Sequence, residues 1–382
     1  MREGWKSMRL TNFVWFQRGF DLPRNNFVEG NVPVYGSTSI LGYHNVSKVK
    51  APGILTGRSG TLGKFQFANE DFWPHNTSLW VKDFKDNDEK FAYYLLQTLD
   101  FTLFNSGGAV PTLNRNLLTA YIVNIPPIET QRKIASILSG YDDLIENNLN
   151  RIKILEEMAQ QTYEEWFVRM RFPGYETAVM NEETGLPEGW EKKCFGDITE
   201  SMQYGYTESA STEIIGPKFL RITDIVGSNI NWETVPYCLI NEKQKPKYLL
   251  NSGDIVIART GATVGYGKRI NQNCPEAVFA SYLIRLKLKP EIDDVLVGIF
   301  VESNSFVQIV QNMAGGAAQP NANAPILRKI EMIVPSKEVQ DKFRSIVLKL
   351  KDSQQLLLNQ NQRLREARDL LLPRLMMGIV EV

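Results

Sequence analysis

Ile54-Leu55-Thr56-Gly57-Arg58-Ser59-Gly60 returns later in the same chain as Ile255-Val256-Ile257-Ala258-Arg259-Thr260-Gly261. The echo extends in both directions and keeps its order. Glu3-Gly4-Trp5 returns as Glu188-Gly189-Trp190, and Ser78-Leu79-Trp80-Val81-Lys82 has a counterpart in Tyr282-Leu283-Ile284-Arg285-Leu286-Lys287. Gly107-Gly108-Ala109 matches Gly315-Gly316-Ala317, and Pro127 with Gln131, Ile134 and Ile137 matches Pro335 with Gln340, Phe343 and Ile346. The offsets drift only from 185 to 209. A period of roughly 200 residues is far longer than a solenoid repeat, so the chain carries a duplicated domain.

Within each copy short β-rich runs come first. They are 53–58, 64–68 and 78–82 in one copy, and 219–226, 254–259 and 281–288 in the other. A helical pattern follows over 88–99, with Phe91, Tyr94, Leu95 and Leu99 on one face, and over 293–312 through Leu296, Phe300, Phe306 and Ile309. A Gly-Gly loop and one apolar strand (120–125; 330–334) complete each copy. The reading is a small α+β domain, present twice.

A long helical pattern follows each domain. From 129 to 170 the apolar residues Leu138, Ile145, Ile152, Ala159 and Trp166 recur in steps of seven, and from 337 to 372 Phe343, Leu350, Leu357, Leu364 and Leu371 do the same. Five heptads twice over is a coiled-coil signal, each helix running about 55–60 Å at 1.5 Å per residue. A helix of that length cannot bury its whole stripe on one small domain, so the two seams should find each other. Asn148 falls on the first seam, where it costs stability but can fix register. Pro173 and Pro373 are expected to close the helices. The resulting division is 1–128 and 187–335 as the two similar domains, 129–170 as the first long helix, 171–186 as a Gly- and Pro-containing linker, and 336–382 as the second helix with its tail.

Composition excludes more than it announces. The 382 residues, 43% of them hydrophobic and 23% charged, fit two or three globular units. No apolar run approaches the ~18 residues of a membrane span, and a cytoplasmic location without membrane partners is expected. Cys194, Cys238 and Cys274 form no CxxC pair and read as reduced and structural. With only His44 and His75 available, no metal site is expected and His-dependent acid–base catalysis has little material. Net charge is zero, so any nucleic-acid footprint has to be local.

Three segments imitate catalytic motifs. Asn124-Ile125-Pro126-Pro127 approximates the Asn-Pro-Pro-aromatic loop of amino-methyltransferases, but Ile125 separates Asn from Pro and Ile128 replaces the aromatic; it reads as a strand ending in a turn before a helix. Residues 57–64 fail the phosphate-loop spacing, with Phe65 where Ser or Thr must bind magnesium, and 261–267 lack the dinucleotide glycine order. What remains is recognition chemistry. Arg58, Ser59 and Lys64 in one loop, and Arg259, Thr260 and Lys268 in the other, put cations at a strand exit where they could reach phosphate or guanine edges. Tyr35, Ser37 and Asn76, with Tyr204, Arg221 and Thr223, add aromatic and polar candidates for DNA contact.

The run Leu155-Glu156-Glu157-Met158-Ala159-Gln160-Gln161-Thr162-Tyr163-Glu164-Glu165-Trp166-Phe167-Val168-Arg169, followed by Arg171-Phe172-Pro173-Gly174, resembles the central helix of type I restriction–modification specificity subunits. Leu364–Met376 resembles their C-terminal helix. The resemblance covers essentially the whole chain, including the Pro-Pro-x-x-x-Gln entry to the first helix; the second entry departs, with Val334-Pro335 in its place. It implies two target-recognition domains held apart by a long antiparallel two-helix coiled coil, each reading half of a split site in double-stranded DNA, with no catalysis by the subunit itself. It further implies two methyltransferase (modification) subunits that carry S-adenosylmethionine, and restriction subunits using ATP and Mg where such subunits exist. The apolar surplus at the helix ends, Trp166, Phe167, Leu370, Leu372, Leu375 and Met376, is more than two helices can cover and is expected to be exposed for docking them. Two other readings stay open on the residues alone. One is a DNA-modifying enzyme with its own active site, which binding of S-adenosylmethionine by the isolated chain would reveal; the other is a coiled-coil adaptor, which failure to bind DNA would favour.

Overall fold

The computed structural model describes residues 4–59, 61–104, 111–315 and 321–382. Glu3, Gly60 and the Gly-Gly-Ala segments, apart from Gly315, lie outside the described residues. The chain forms two units: the first comprises Met1–Leu149 with Leu358–Val382, and the second is Asn150–Leu357.

The duplication is visible bond by bond. Among the described residues the first unit has a four-stranded antiparallel sheet ordered Trp15–Arg18, Ser78–Asp83, Gly53–Gly57, Phe65–Ala68. The second has Thr199–Tyr204, Leu283–Leu288, Ile255–Ala258, Gly267–Arg269 in the same order. Each unit adds a parallel pairing, Val32–Tyr35 with Trp73–Pro74 and Lys218–Leu220 with Ala277–Phe279. Each also has an antiparallel ribbon that joins its first strand to the strand before its long helix, Lys6–Arg9 with Ile122–Ile125 and Glu191–Cys194 with Glu331–Val334. In both units a glycine lets one backbone lie against another: a Cβ on Gly19 would stand 2.1 Å from the His75 carbonyl oxygen, and one on Gly205 2.2 Å from that of Ala280.

Both domain helices are capped by aspartate, but they differ in length. Asp88 accepts from Phe91 N at the start of Glu89–Gln97. The 293–312 pattern is two helices, Asp294–Val301 and Asn304–Ala314, because Ser303 leaves the helical conformation and its hydroxyl accepts from Phe306 N. The run 219–226 is likewise strand only to Leu220 and then a short turn of helix over Ile222–Asp224, which Asp224 secures by accepting from Arg221 N.

The first long helix runs Ile128–Tyr163 and continues as a widened π-helical turn over Glu164–Val168; the second runs Lys337–Met376. The seven-step series of the first is buried throughout, from Leu138 to Trp166, and Phe343 and Leu357 are buried on the second. Within the first unit Arg368 pairs with Asp142 (2.5 Å) and Asn361 accepts from Asn148 (2.9 Å), so the two helix stretches are antiparallel. Within the second unit Gln354 donates to Ile152 O (3.3 Å) and the rings of Tyr163 and Phe343 meet at 6.2 Å, which is the same sense. Asn148, Gln354 and Asn361 are all buried, so the seam carries polar layers beyond the single Asn that spacing suggests.

Two expectations about the helix ends are corrected. Pro373 does not stop the second helix: it removes one donor, but its own carbonyl still accepts from Met377 N, and the turn ends at Gly378 in the left-handed conformation. The first helix ends ahead of Pro173, at Met170 with φ 59°. The apolar surplus is also largely covered. Phe167 packs on Phe343 (4.9 Å between ring centroids) and Trp190 (5.8 Å), Trp166 joins the same cluster, and Leu375 and Met376 lie in the first unit's core with Leu372 half-buried against it. Of the six residues only Leu370 is well exposed, at 62%.

One glutamine anchors each long helix to its domain. Gln131 donates to Pro126 O (3.0 Å) and Asn87 Oδ1 (2.9 Å) and accepts from Asp88 N (3.0 Å); Gln340 donates to Pro335 O (2.9 Å) and accepts from Asp293 N (3.0 Å). This places Pro335 opposite Pro126, and Ser336 opposite Pro127, one residue away from the pairing read in the sequence. Gln340→Leu should strand the Asp293 N–H and the Pro335 carbonyl in a buried site, at about 1–3 kcal/mol per unpaired group. Peptide-resolved hydrogen exchange should then quicken over 293–301 and leave 89–97 protected; uniform exchange in both segments would show that the anchor is not local.

Candidate nucleic-acid interface

The two strand-exit loops are equivalent in their backbone bonds. Arg58 N donates to Thr77 O (2.9 Å) and Arg58 O accepts from Leu113 N (2.8 Å); Arg259 N donates to Tyr282 O (3.0 Å) and Arg259 O accepts from Ala322 N (2.8 Å). The next residues, Ser59 and Thr260, form single bridges to Thr112 and Asn321. Each arginine is therefore held on both sides at the end of a buried strand, where the sheet fixes its position.

In the first unit several candidates gather around the 75–78 turn. Ser37 donates to Thr77 O (2.9 Å), the same carbonyl that Arg58 uses, and Tyr35 O accepts from His75 N (2.9 Å). The Tyr35 ring packs on Phe72 (5.8 Å), and burial, then the charge of Glu70, pushes its hydroxyl pKa up, so it stays a neutral donor. Asn76 is engaged with Asp21, and Lys64 is exposed at the far end of the Arg58 hairpin, just before Phe65–Ala68. In the second unit Tyr204, Arg259 and Thr260 converge: the Arg259 guanidinium lies 4.8 Å from the centroid of the Tyr204 ring, whose hydroxyl accepts from Ala324 N (3.1 Å).

Two cations proposed from sequence are occupied within the second unit. The register places Lys268 opposite Val256, in the middle of the edge strand Gly267–Arg269 and away from the Arg259 loop. There it is buried, donating to Ser228 O (2.8 Å) and facing Glu302 (3.7 Å). Arg221 is clasped by Asp224 through Nε (3.0 Å) and Nη2 (2.9 Å), which raises its pKa further and leaves exposed Thr223 as the available member of that turn. Sequence reading singles out Gln203-Tyr204-Gly205-Tyr206 but misses its counterpart at the equivalent strand end, Gln17-Arg18-Gly19-Phe20, although the repeated Gln-x-Gly-aromatic spacing is there to find. Arg18 occupies the place of Tyr204: Gly19 N and Gly205 N donate to equivalent strand carbonyls, those of Ser78 and Leu283.

The rest of the chemistry is structural. Burial raises the thiol pKa of Cys238 to about 11 and of Cys274 to about 12. Among the described residues no group of three or more His, Cys, Asp and Glu could hold a metal ion, and no helix is long and apolar enough to cross a membrane.

The model of the type I restriction modification DNA specificity domain matches residues 2–157 and again 187–366, one match for each half of the repeat. The chain belongs to this family. Among curated members of the specificity-subunit family, the MjaVIII specificity subunit of Methanocaldococcus jannaschii is 24% identical over 305 residues, covering 77% of this chain and 71% of that protein. The HindI specificity subunit of Haemophilus influenzae is 24% identical over 342 residues, covering 71% of this chain and 72% of that protein. The crystal structure of the type I restriction–modification S subunit from M. genitalium shares the fold, with a TM-score of 0.59 at 18% identity over 97% of this chain and 96% of that one. A specificity domain confers sequence choice and is not itself catalytic, and that is the class of this chain.

The ion pairs around Lys268 give the second unit an acid-sensitive interior. Burial alone would push the Glu302 carboxyl up, but Lys351 (3.0 Å) and Lys268 outweigh it and hold it below the usual carboxylate range; Arg269 and Arg344 do the same for half-buried Asp294. Stability from such depressed groups is complete above their unfolded pKa, about 4, and is lost as pH falls through the lower folded values. Acidification from about pH 5 to 3 should therefore lower the melting temperature, and Glu302→Gln should flatten that dependence; an unchanged pH profile would show that these pairs contribute nothing to the loss.

Proposed function

We propose that this chain selects a bipartite, asymmetric sequence in double-stranded DNA, each unit reading one half. The observation that carries this is the equivalence of the Arg58 and Arg259 loops, inside two halves that each match a DNA specificity domain. The loops share a backbone frame but differ in the side chains around it, which suits two half-sites of different sequence. Base readout needs side chains aimed at groove edges, with other contacts setting the pose on the phosphates.

In this reading catalysis lies elsewhere in the complex. Two methyltransferase subunits supply S-adenosylmethionine chemistry, and restriction subunits, where present, supply ATP- and Mg-dependent cleavage. The paired helices act as the ruler between half-sites and as the seat for these partners. Because Phe167 is buried and Leu372 half-buried, the docking faces are reassigned to exposed apolar helix residues: Leu144 and Leu370 in the first unit, Ile154, Met158 and Leu356 in the second.

Methylome sequencing of a host expressing the chain with its modification subunits should show one split motif with a fixed gap. Removing seven residues from each long helix at facing positions shortens the ruler by about 10 Å, or about three base pairs, and should change the gap while leaving both half-motifs intact. An unsplit motif, or a gap indifferent to helix length, would sink the ruler. Met158→Glu should release a modification subunit in size-exclusion chromatography without loss of helical circular dichroism. Retention of the partner would place docking on another face.

A further inference from the structure

Arg259 is held more completely than its position in a loop requires. Its backbone is fixed on both sides by Tyr282 and Ala322, and its guanidinium rests over the Tyr204 ring, 4.8 Å from the centroid. The ring is itself pinned, since its hydroxyl accepts from Ala324 N in the same 321–324 segment that supports the Arg259 carbonyl. Stacking an arginine on an aromatic face sets the plane of the guanidinium.

The inner edge of that plane is closed. Arg259 Nε is buried and has no hydrogen-bond partner among the described residues. Four other arginines of the unit's sheet, turn and helices are paired with carboxylates, Arg221 with Asp224, Arg269 with Asp294, Arg285 with Asp254 and Arg344 with Asp293 and Asp294, although Arg151 and Arg328, like Arg259, have no such pair among the described residues. Among the described residues Arg259 has no such partner, so its two terminal nitrogens form an oriented and unclaimed donor fork. That fork matches the paired acceptors O6 and N7 of guanine in the major groove. A phosphate would take the fork bidentately as well, and the two are told apart by sequence preference, since a guanine contact selects one base pair and a phosphate contact selects none.

The first unit lacks this seat. Arg58 has the same backbone bonds, but the residue in the place of Tyr204 is Arg18, which is half-exposed beside Asp21 (3.9 Å). We propose that Arg259 reads a guanine in the half-site of the second unit through its terminal nitrogens, and that Tyr204 is the residue that positions it. The proposal rests on the DNA-reading assignment above and gives that site its base.

The full chain, in complex with its modification subunits, is bound to a randomised duplex library and the retained DNA is sequenced. The unsubstituted complex should select a G·C pair at a position where Arg259→Lys loses the preference roughly 5- to 150-fold, the span of one good bidentate contact, with the other selected positions kept. Tyr204→Leu should lose preference at that same position, and Tyr204→Phe, which keeps the ring and loses only its bond from Ala324 N, should retain most of it. Selection of the first unit's half-site in the same library reports that each variant complex is folded. The proposal is overturned if Arg259→Lys keeps every preference while Arg259→Ala weakens all sequences alike and flattens the salt slope by about one ion, the signature of a phosphate contact. It is also overturned if Tyr204→Phe behaves as Tyr204→Leu. A library from which the unsubstituted complex selects nothing removes the DNA-reading assignment itself.

Discussion

A buried carboxamide at the start of each long helix ties together three elements that the chain delivers from far apart. Gln131 holds the end of the ribbon strand at Pro126 and the capped start of the domain helix at Asp88; Gln340 does the same at Pro335 and Asp293. Each is 3% exposed, so water cannot replace the bonds. The carboxamide offers both a donor and an acceptor at one end of a flexible stem, and both are used. Without it the orientation of the domain on its helix would rest on apolar contact alone, which specifies burial better than angle.

The seam between the helices follows the same logic. Leucine and isoleucine supply the burial, and the polar layers supply the register: Asn148 with Asn361, Asn361 with the Ile145 carbonyl, and Gln354 with the Ile152 carbonyl. A slip of one heptad would bury these amides opposite apolar side chains, at about 1–3 kcal/mol for each unpaired group. An apolar seam would hold more tightly and tolerate the slip. The polar layers thus exchange some seam stability for a single register.

The repeat and the heptads were legible because both are periodicities, and periodicity survives without knowledge of contacts. Leu138, Ile145, Ile152, Ala159 and Trp166 are buried where the step of seven put them. Errors arose where the answer depended on what lies across the fold. Phe167, Leu375 and Met376 looked surplus because spacing shows a helix's stripe and not the aromatic or aliphatic cluster its last turn meets. Lys268 looked like a loop cation because strand register, which sets it opposite Val256 beside Glu302, is invisible in one dimension. Arg221 was nearer to being readable, since Asp224 three residues on is the spacing of a capped turn. The stacking of Arg259 on Tyr204 joins strand ends 55 positions apart and had no local signal beyond the shared Gln-x-Gly-aromatic spacing.

The first unit is built from both ends of the chain, Met1–Leu149 and Leu358–Val382, whereas the second is the uninterrupted segment Asn150–Leu357. On a ribosome the two therefore mature in the reverse of their order in the sequence. The second unit has all its residues once position 357 has emerged, while the first still lacks the helix stretch that carries Asn361, Arg368, Leu375 and Met376 into its seam and core. Until that stretch arrives, the stripe around Leu138 and Ile145 has no mate. The nascent chain thus carries an incomplete half on its N-terminal side until the stretch beyond position 357 has emerged, and the unit begun first is closed after the second.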